Sequence, residues 1–146
     1  ILASMTPVAP PMILIDGKNL CHSINRDLPS ARPLVQAIRC YRDKGYKVFV
    51  VLPEWAYHGG KDGKRAVEDA MELKPWVEDK TVNMAPAYED DDLFLFKYAQ
   101  EHEKSARVLS NDHFEDHVRD AVVTRDWLNE HTVKYMFMGD TFLPSK

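Results

Sequence analysis

Asp16, Asp91, Asp92 and Asp112 are the residues whose type and placement could do chemistry. They are distant in sequence, yet each adjoins an ordered-looking segment. Met12-Ile13-Leu14-Ile15 runs into Asp16-Gly17-Lys18-Asn19, and Arg107-Val108-Leu109 runs into Ser110-Asn111-Asp112. Asp91-Asp92 open a stretch of helical spacing. Gathered together, two carboxylates about 4 Å apart repel by roughly 4 kcal/mol at an effective dielectric near 20. Three or four such groups do not stay ionised unaided. A hard divalent cation relieves the repulsion, and carboxylate oxygens are donors that Mg²⁺ or Mn²⁺ prefers. Such a site suits attack of activated water on phosphorus. The sequence has no Gly-Lys-Ser/Thr phosphate loop, so a phosphodiester is a more natural substrate than ATP.

Each acid also has a purely structural explanation. Asp112 with Glu115 fits a capping box, Glu89-Asp90-Asp91-Asp92 can complement a helix dipole, and Asp16-Gly17 can be an ordinary turn with Asn19 as a loop residue. Their conjunction depends on the elements that carry them.

Met12–Ile15 is an apolar run too short for a helix and reads as a buried strand. Ser30-Ala31-Arg32-Pro33 starts a helix whose apolar positions Leu34, Ile38 and Tyr41 lead to a stop at Lys44-Gly45. Residues 47–52 read as a second buried strand closed by Pro53, 61–73 as a helix with a glycine-rich start, and 81–84 as a short third strand. A helix is predicted over 91–103, with Asp91, Leu95, Tyr98 and His102 on one face and Asp92, Phe96 and Ala99 on its neighbour. Phe114, Val118, Ala121, Val122, Arg125 and Leu128 repeat at helical intervals, and 133–138 supplies a last strand. The order β-α-β-α-β-α-β-α-β predicts an α/β fold, a three-layer α/β/α sandwich around a mostly parallel sheet of about five strands. In such sheets ligands bind beyond the strand ends where strand order reverses, which would bring Asp16 and Asp112 to one crevice.

The 146 residues suit one domain, long enough to bury roughly two-thirds of the unfolded surface. Pro7, Pro10 and Pro11 mark residues 1–11 as a leader outside a core of 12–146. No run approaches the roughly twenty apolar residues of a membrane span and no secretory signal is visible, so a soluble, intracellular and cytoplasmic protein without a membrane partner is expected. Cys21 and Cys40 form no zinc or disulfide pattern. The net charge of −4 argues against a general electrostatic grip on nucleic acid but not against a local basic patch. Lys61, Lys64 and Arg65 in the glycine-rich loop, together with Lys18, could form one along a phosphate backbone, and Trp55 or Tyr57 could stack on unpaired bases. The histidines His58, His113 and His117 read as surface residues.

Ile13-Leu14-Ile15-Asp16-Gly17-Lys18-Asn19 resembles the opening of NYN-domain ribonucleases, a branch of the PIN-like nucleases. Asp91-Asp92-Leu93-Phe94-Leu95-Phe96-Lys97-Tyr98-Ala99 is similar to the paired-aspartate helix of their regnase group. Val108-Leu109-Ser110-Asn111-Asp112 resembles that group's Ser-Asn-Asp segment, Val50-Val51-Leu52-Pro53-Glu54-Trp55 its second strand, and Tyr135 to Pro144 its closing strand and tail. The five matches run in the family's order from about residue 12 to 144.

The resemblance implies a PIN-like Rossmannoid fold and a magnesium-dependent endoribonuclease acting on single-stranded RNA or mRNA in decay or silencing. It implies 5′-phosphate and 3′-hydroxyl products, and a homodimer or protein partner that supplies targeting. Carried over position by position, Asp16, Asp91, Asp92 and Asp112 match its acidic catalytic positions and Asn19 the polar residue that organises the site. On this reading Asp16, Asp92 and Asp112 hold Mg²⁺ (or Mn²⁺), Asp91 positions the attacking water, and Asn19 fixes the loop and a phosphate contact. Lys18 stands where the group carries a small polar residue, poised to clamp a phosphate or to pair with Asp112 or Asp91. The segment Val82–Tyr88 lacks the group's basic, glycine-containing stretch. A non-catalytic RNA-binding scaffold is the main alternative. A phosphoacceptor receiver would need an acid pair around the first strand, and a haloacid-dehalogenase phosphatase needs Asp-x-Asp where Asp16-Gly17-Lys18 stands.

Overall fold

A computed structural model describes residues 10–61, 63–86 and 89–145. β1 (Met12–Asp16) is buried along its whole length because it is the middle strand of a five-stranded parallel sheet ordered β3-β2-β1-β4-β5. Its neighbours are β2 (Lys47–Pro53) and β4 (Ala106–Leu109), flanked by β3 (Val82–Ala85) and β5 (Thr132–Val133). The two-residue alternation of a strand splits its side chains between two cores. Ile13 and Ile15 join the layer of α1 (Gly17–Cys21) and α2 (Arg32–Asp43), while Met12 and Leu14 join that of α5 (Asp91–Glu101) and α7 (Arg125–His131). The α/β/α sandwich expected from the alternating pattern is the fold observed.

Strand order runs outward from β1 in both directions: β2 and β3 to one side, β4 and β5 to the other. The reversal point therefore lies between the carboxyl ends of β1 and β4. Asp16 is the last residue of β1, and Ser110 follows the last residue of β4.

Three segments depart from the sequence pattern. Residues 61–73 are not one helix. α3 (Glu54–His58) follows β2 directly, an irregular loop follows, and a single 3₁₀ turn (Ala70–Leu73) leads into α4 (Lys74–Glu78). Glu68 is drawn into a parallel bridge with Ser30, and Asp69 takes a left-handed φ of 55°, which no helix interior accommodates. The periodic stretch from Phe114 to Leu128 divides into α6 (Glu115–Arg119) and α7, broken at Ala121, whose φ is 61°. Thr124 restarts the helix by accepting the Trp127 amide. The last strand also divides. Thr132–Val133 completes the parallel sheet, whereas β6 (Tyr135–Met138) turns at Gly139 and pairs antiparallel with β7 (Thr141–Pro144). Residues 1–9 of the expected leader lie outside the described residues; Pro10 and Pro11 are exposed and β1 begins at Met12. No helix among the described residues is long and apolar enough to cross a membrane.

Gly17 links this packing to the crevice. A Cβ on it would come within 2.8 Å of the Val51 carbonyl oxygen, 2.9 Å of Leu52 Cδ1 and 3.1 Å of Val50 Cγ1. The backbone carbonyl cannot yield as a side-chain tip can, so Gly17→Ala should destabilise the fold by about 1–3 kcal/mol through overpacking. Urea unfolding followed by circular dichroism reads this as a lower midpoint; an unchanged midpoint would show that β2 gives way freely.

Candidate active site

Three carboxylates meet at the reversal point. One oxygen from each of Asp16, Asp91 and Asp92 lies within 4.8 Å of the others, and all three residues are buried. Asp16 arrives on the end of the central strand and caps α1, accepting the Asn19 amide at 3.4 Å on Oδ1. Its Oδ2 accepts the hydroxyl of fully buried Ser110 at 2.8 Å. Asp91 and Asp92 stand on the first turn of α5, whose cap is supplied one residue earlier: Asp90 Oδ1 accepts the Asp92 amide at 2.9 Å. The capping role that could have explained the acidic run thus falls to Asp90. Lys18 Nζ lies 3.6 Å from Asp91 Oδ1, one of the two pairings the sequence allows. Asp91 Oδ2 is buried with no hydrogen-bond partner.

Burial sets the protonation of this group. It removes water from Asp16 and, together with the neighbouring Asp91 charge, raises the carboxyl from its ordinary 3.8 to about 6 despite the Ser110 and Asn19 hydrogen bonds. Asp92 is pushed up to about 8, by burial first and then by the charges of Asp16 and Asp91. Lys18 loses hydration too, but Asp91, Asp92, Asp16 and Asp90 outweigh that loss and hold its ammonium above the ordinary lysine value. The donor set is oxygen-only, crowded and short of positive charge, and the orphaned Asp91 Oδ2 has no protein group to bond. Those features fit a hard divalent cation.

Asp112 is exposed and stands beside this trio rather than within it. Its Oδ1 accepts the Phe114 amide at 2.8 Å, a local turn in place of the capping box that its spacing to Glu115 allows, and its own amide donates to Ser110 Oγ at 3.1 Å. It lines a cavity of about 830 Å³ with Asp16, Lys18, Asn19, His22, Arg26 and Tyr135. Asn19 is clamped at the floor: its Oδ1 accepts the Tyr135 hydroxyl at 2.6 Å and the Asn111 amide at 3.0 Å. Lys61, Lys64 and Arg65 are exposed on the loop after α3 and do not line that cavity. Lys64 alone connects to it, indirectly: its Nζ lies 4.4 Å from the Trp55 ring, which meets His22 edge to face at 6.4 Å.

The sequence marks Ser110 and Asn111 as part of the Ser-Asn-Asp resemblance but assigns them no role: Ser110 joins two acids, and Asn111 exchanges paired hydrogen bonds with the Tyr135 backbone, at 2.9 and 3.0 Å. Tyr135 reads as an ordinary apolar strand residue. His117 is not a surface histidine: its side chain is 16% exposed and its Nε2 lies 2.8 Å from Asp90 Oδ2. The adjacency Ser110-Asn111-Asp112 at a strand end was the available signal for the first two; nothing local marks the others.

Residues 11–146 match the family model described as the Zc3h12a-like ribonuclease NYN domain. Two structures of Arabidopsis thaliana nuclear protein-only RNase P 2 share the fold, with TM-scores of 0.71 and 0.72 at 16% and 17% identity. The likeness covers 94% of this chain and 30% of theirs.

The raised carboxyls predict how the metal-free protein responds to pH. Between about pH 4 and pH 8 the folded chain binds more protons than the unfolded one, because Asp16 and Asp92 titrate near 6 and 8 when folded but near 3.8 when exposed. Stability therefore falls as pH rises through that window. Melting in EDTA should show a decreasing midpoint from pH 5 to pH 8, with Mg²⁺ raising it more at pH 8 than at pH 5. A midpoint that climbs with pH in EDTA would contradict the assignment.

Proposed function

Because the chain belongs to the Zc3h12a-like ribonuclease NYN domain family, we propose that it is a divalent-metal-dependent endoribonuclease. It hydrolyses single-stranded RNA and leaves 5′-phosphate and 3′-hydroxyl ends, in RNA decay or silencing. The observation that carries this reading is the trio of buried carboxylates within 4.8 Å, one of whose oxygens has no partner. Asp16, Asp91 and Asp92 are the residues to hold Mg²⁺ or Mn²⁺, which when bound supplies Lewis-acid activation of water and neutralises charge on the attacked phosphate.

The chain's own groups do the rest. Asp112, exposed on the cavity wall, orients the attacking water; this exchanges the roles expected of Asp91 and Asp112. Asn19, its Oδ1 occupied by Tyr135 and Asn111, offers its amide NH₂ to a phosphate oxygen. Lys18 supplies positive charge beside the scissile phosphate. The water oxygen bonds to phosphorus as the bond from phosphorus to the 3′ oxygen breaks, the water proton passing by way of the Asp112 carboxylate to solvent and the departing 3′ oxygen taking a proton from solvent to leave as the hydroxyl. Lys61, Lys64 and Arg65 track the phosphate backbone, with Trp55 beneath Lys64 as a platform for an unpaired base. Targeting through a protein partner or a second copy of the chain belongs to the same proposal.

One observation favours a non-cleaving RNA-binding reading: Lys18 already neutralises Asp91 from 3.6 Å and so competes with a cation for that carboxylate. Cleavage of an end-labelled single-stranded RNA separates the two. Activity in Mg²⁺ should vanish in EDTA and in the Asp91→Asn/Asp92→Asn variant. Cleavage that survives both changes overturns the metal-dependent reading, and binding without cleavage at every Mg²⁺ concentration supports the scaffold. Replacing Lys61, Lys64 and Arg65 with Ala should weaken RNA binding and reduce the slope of log affinity against log salt by about 2, at roughly 0.7 per phosphate contact on a single strand; an unchanged slope removes them from the RNA path.

A further inference from the structure

β6 pairs with β7 alone, so its other edge is open. Successive residues of an antiparallel strand turn their amide and carbonyl alternately toward the partner and away from it. The Ser145 amide donates to the Lys134 carbonyl at 2.7 Å, which sets the phase: Lys134 faces β7 and Tyr135 faces away. Both Tyr135 groups are taken by the Asn111 side chain. Phe137, two residues on, turns its amide and carbonyl to the same open edge, where neither has a hydrogen-bond partner among the described residues. That edge borders the cavity of about 830 Å³, which Asn111, Tyr135, Met136 and Phe137 line together with Arg26 and Asp112.

Arg26 is presented by a loop fastened on itself. The Ser30 amide donates to the Cys21 carbonyl at 3.0 Å, Asn25 Oδ1 accepts the Asp27 and Leu28 amides at 3.0 and 3.1 Å, and His22 Nδ1 donates to the Arg26 carbonyl at 3.0 Å. The exposed Arg26 side chain forms no ion pair among the described residues. Yet it lines cavities that hold Asp16, Asp92 and Asp112.

We propose that the open edge of β6 and Arg26 form a subsite for one unpaired nucleotide beside the scissile phosphate, the Phe137 amide and carbonyl bonding the Watson–Crick edge of its base and Arg26 its phosphate. Every nucleobase carries a donor and an acceptor side by side on that edge, so one backbone pair serves all four with little sequence preference. In a duplex the same edge is occupied by the complementary base, so the subsite admits unpaired strands and rejects paired ones. A peptide added as a strand would need several open pairs in a row. Here Asn111 occupies the Tyr135 pair and the turn at Gly139 ends the strand, which favours a base over a peptide. Water on an exposed strand edge accounts for the open Phe137 groups, but not for an arginine held at a crevice of carboxylates without pairing with any. The inference rests on the reading of the crevice as an RNA site, and its test reads binding rather than cleavage.

The experiment titrates a short oligoadenylate into nitrogen-15-labelled protein, in EDTA and again in Ca²⁺, and follows the backbone amides by NMR. The Phe137 amide proton should move downfield, and the same strand annealed to oligouridylate should leave it in place. An oligomer methylated twice at each adenine amino group, which keeps its stacking and charge but loses the edge donor, should bind about 5-fold more weakly. Arg26→Ala should lower the slope of log affinity against log salt by about 0.7, one phosphate contact on a single strand, and Arg26→Lys should restore it. Met138→Ser, exposed on β6 beyond the cavity, should change neither readout. An unmoved Phe137 amide under both conditions, a methylated oligomer bound as tightly as its parent, or an unchanged slope in Arg26→Ala overturns the subsite. Cleavage in Mg²⁺ with an unmoved Phe137 amide rejects the subsite and leaves the nuclease reading standing. The Phe137 shift without cleavage at any Mg²⁺ concentration supports the subsite and removes the nuclease reading.

Discussion

Mutual repulsion among buried carboxylates is the constraint around which this fold is arranged. Asp16 is placed by the central strand and Asp91 and Asp92 by the first turn of α5, so the register of β1 and the docking of α5 together fix their separation. Within 4.8 Å, each charged pair costs roughly 3 kcal/mol at an effective dielectric near 20. The protein meets part of that cost through the raised carboxyl of Asp92, which keeps its proton at neutral pH, and part by bringing Lys18 to Asp91. The remainder is left for a ligand to offset. A chain selected for stability alone would place apolar or amide side chains there.

The surroundings keep these acids from moving apart. Ser110 joins the end of β4 to Asp16, and Asn19 joins α1 to the segment after β4. Tyr135 then ties both to the hairpin of β6 and β7, with its hydroxyl on Asn19 and its backbone on Asn111. The hairpin is itself anchored by Phe142, which packs against Tyr41 of α2 and Tyr135 at 6.1 and 5.7 Å. A hairpin that adds no strand to the parallel sheet thereby sets the floor of the cavity.

The elements legible in the sequence are those whose burial is complete. Met12 to Ile15 is too short for a helix and reads as a strand with both faces covered, and Asp16 follows from where that run stops. The helix of 32–43 carried its own start and stop. What failed was decided by contacts that periodicity does not record. Phe114 to Leu128 keeps a helical rhythm through a chain reversal at Ala121, because both halves present apolar residues to the same layer. Residues 61–73 lose their helix to a bridge between Glu68 and Ser30, a partner far back along the chain. The site shows the same division. All four acids were visible, yet their grouping was not: Asp91 joins Asp16 and Asp92, while Asp112 turns to its own backbone. The partnership of Asp90 with His117 depends on how α6 packs against the start of α5, which spacing alone does not encode.

The most direct measurement is a crystal structure of the Mn²⁺-soaked protein with anomalous scattering recorded near the manganese edge. The account predicts a strong anomalous peak bonded to Asp16, Asp91 and Asp92 oxygens, with Lys18 displaced from Asp91. An ordered crevice without a peak among those three residues, or one in which Asp91 and Asp92 turn away from Asp16, would contradict it.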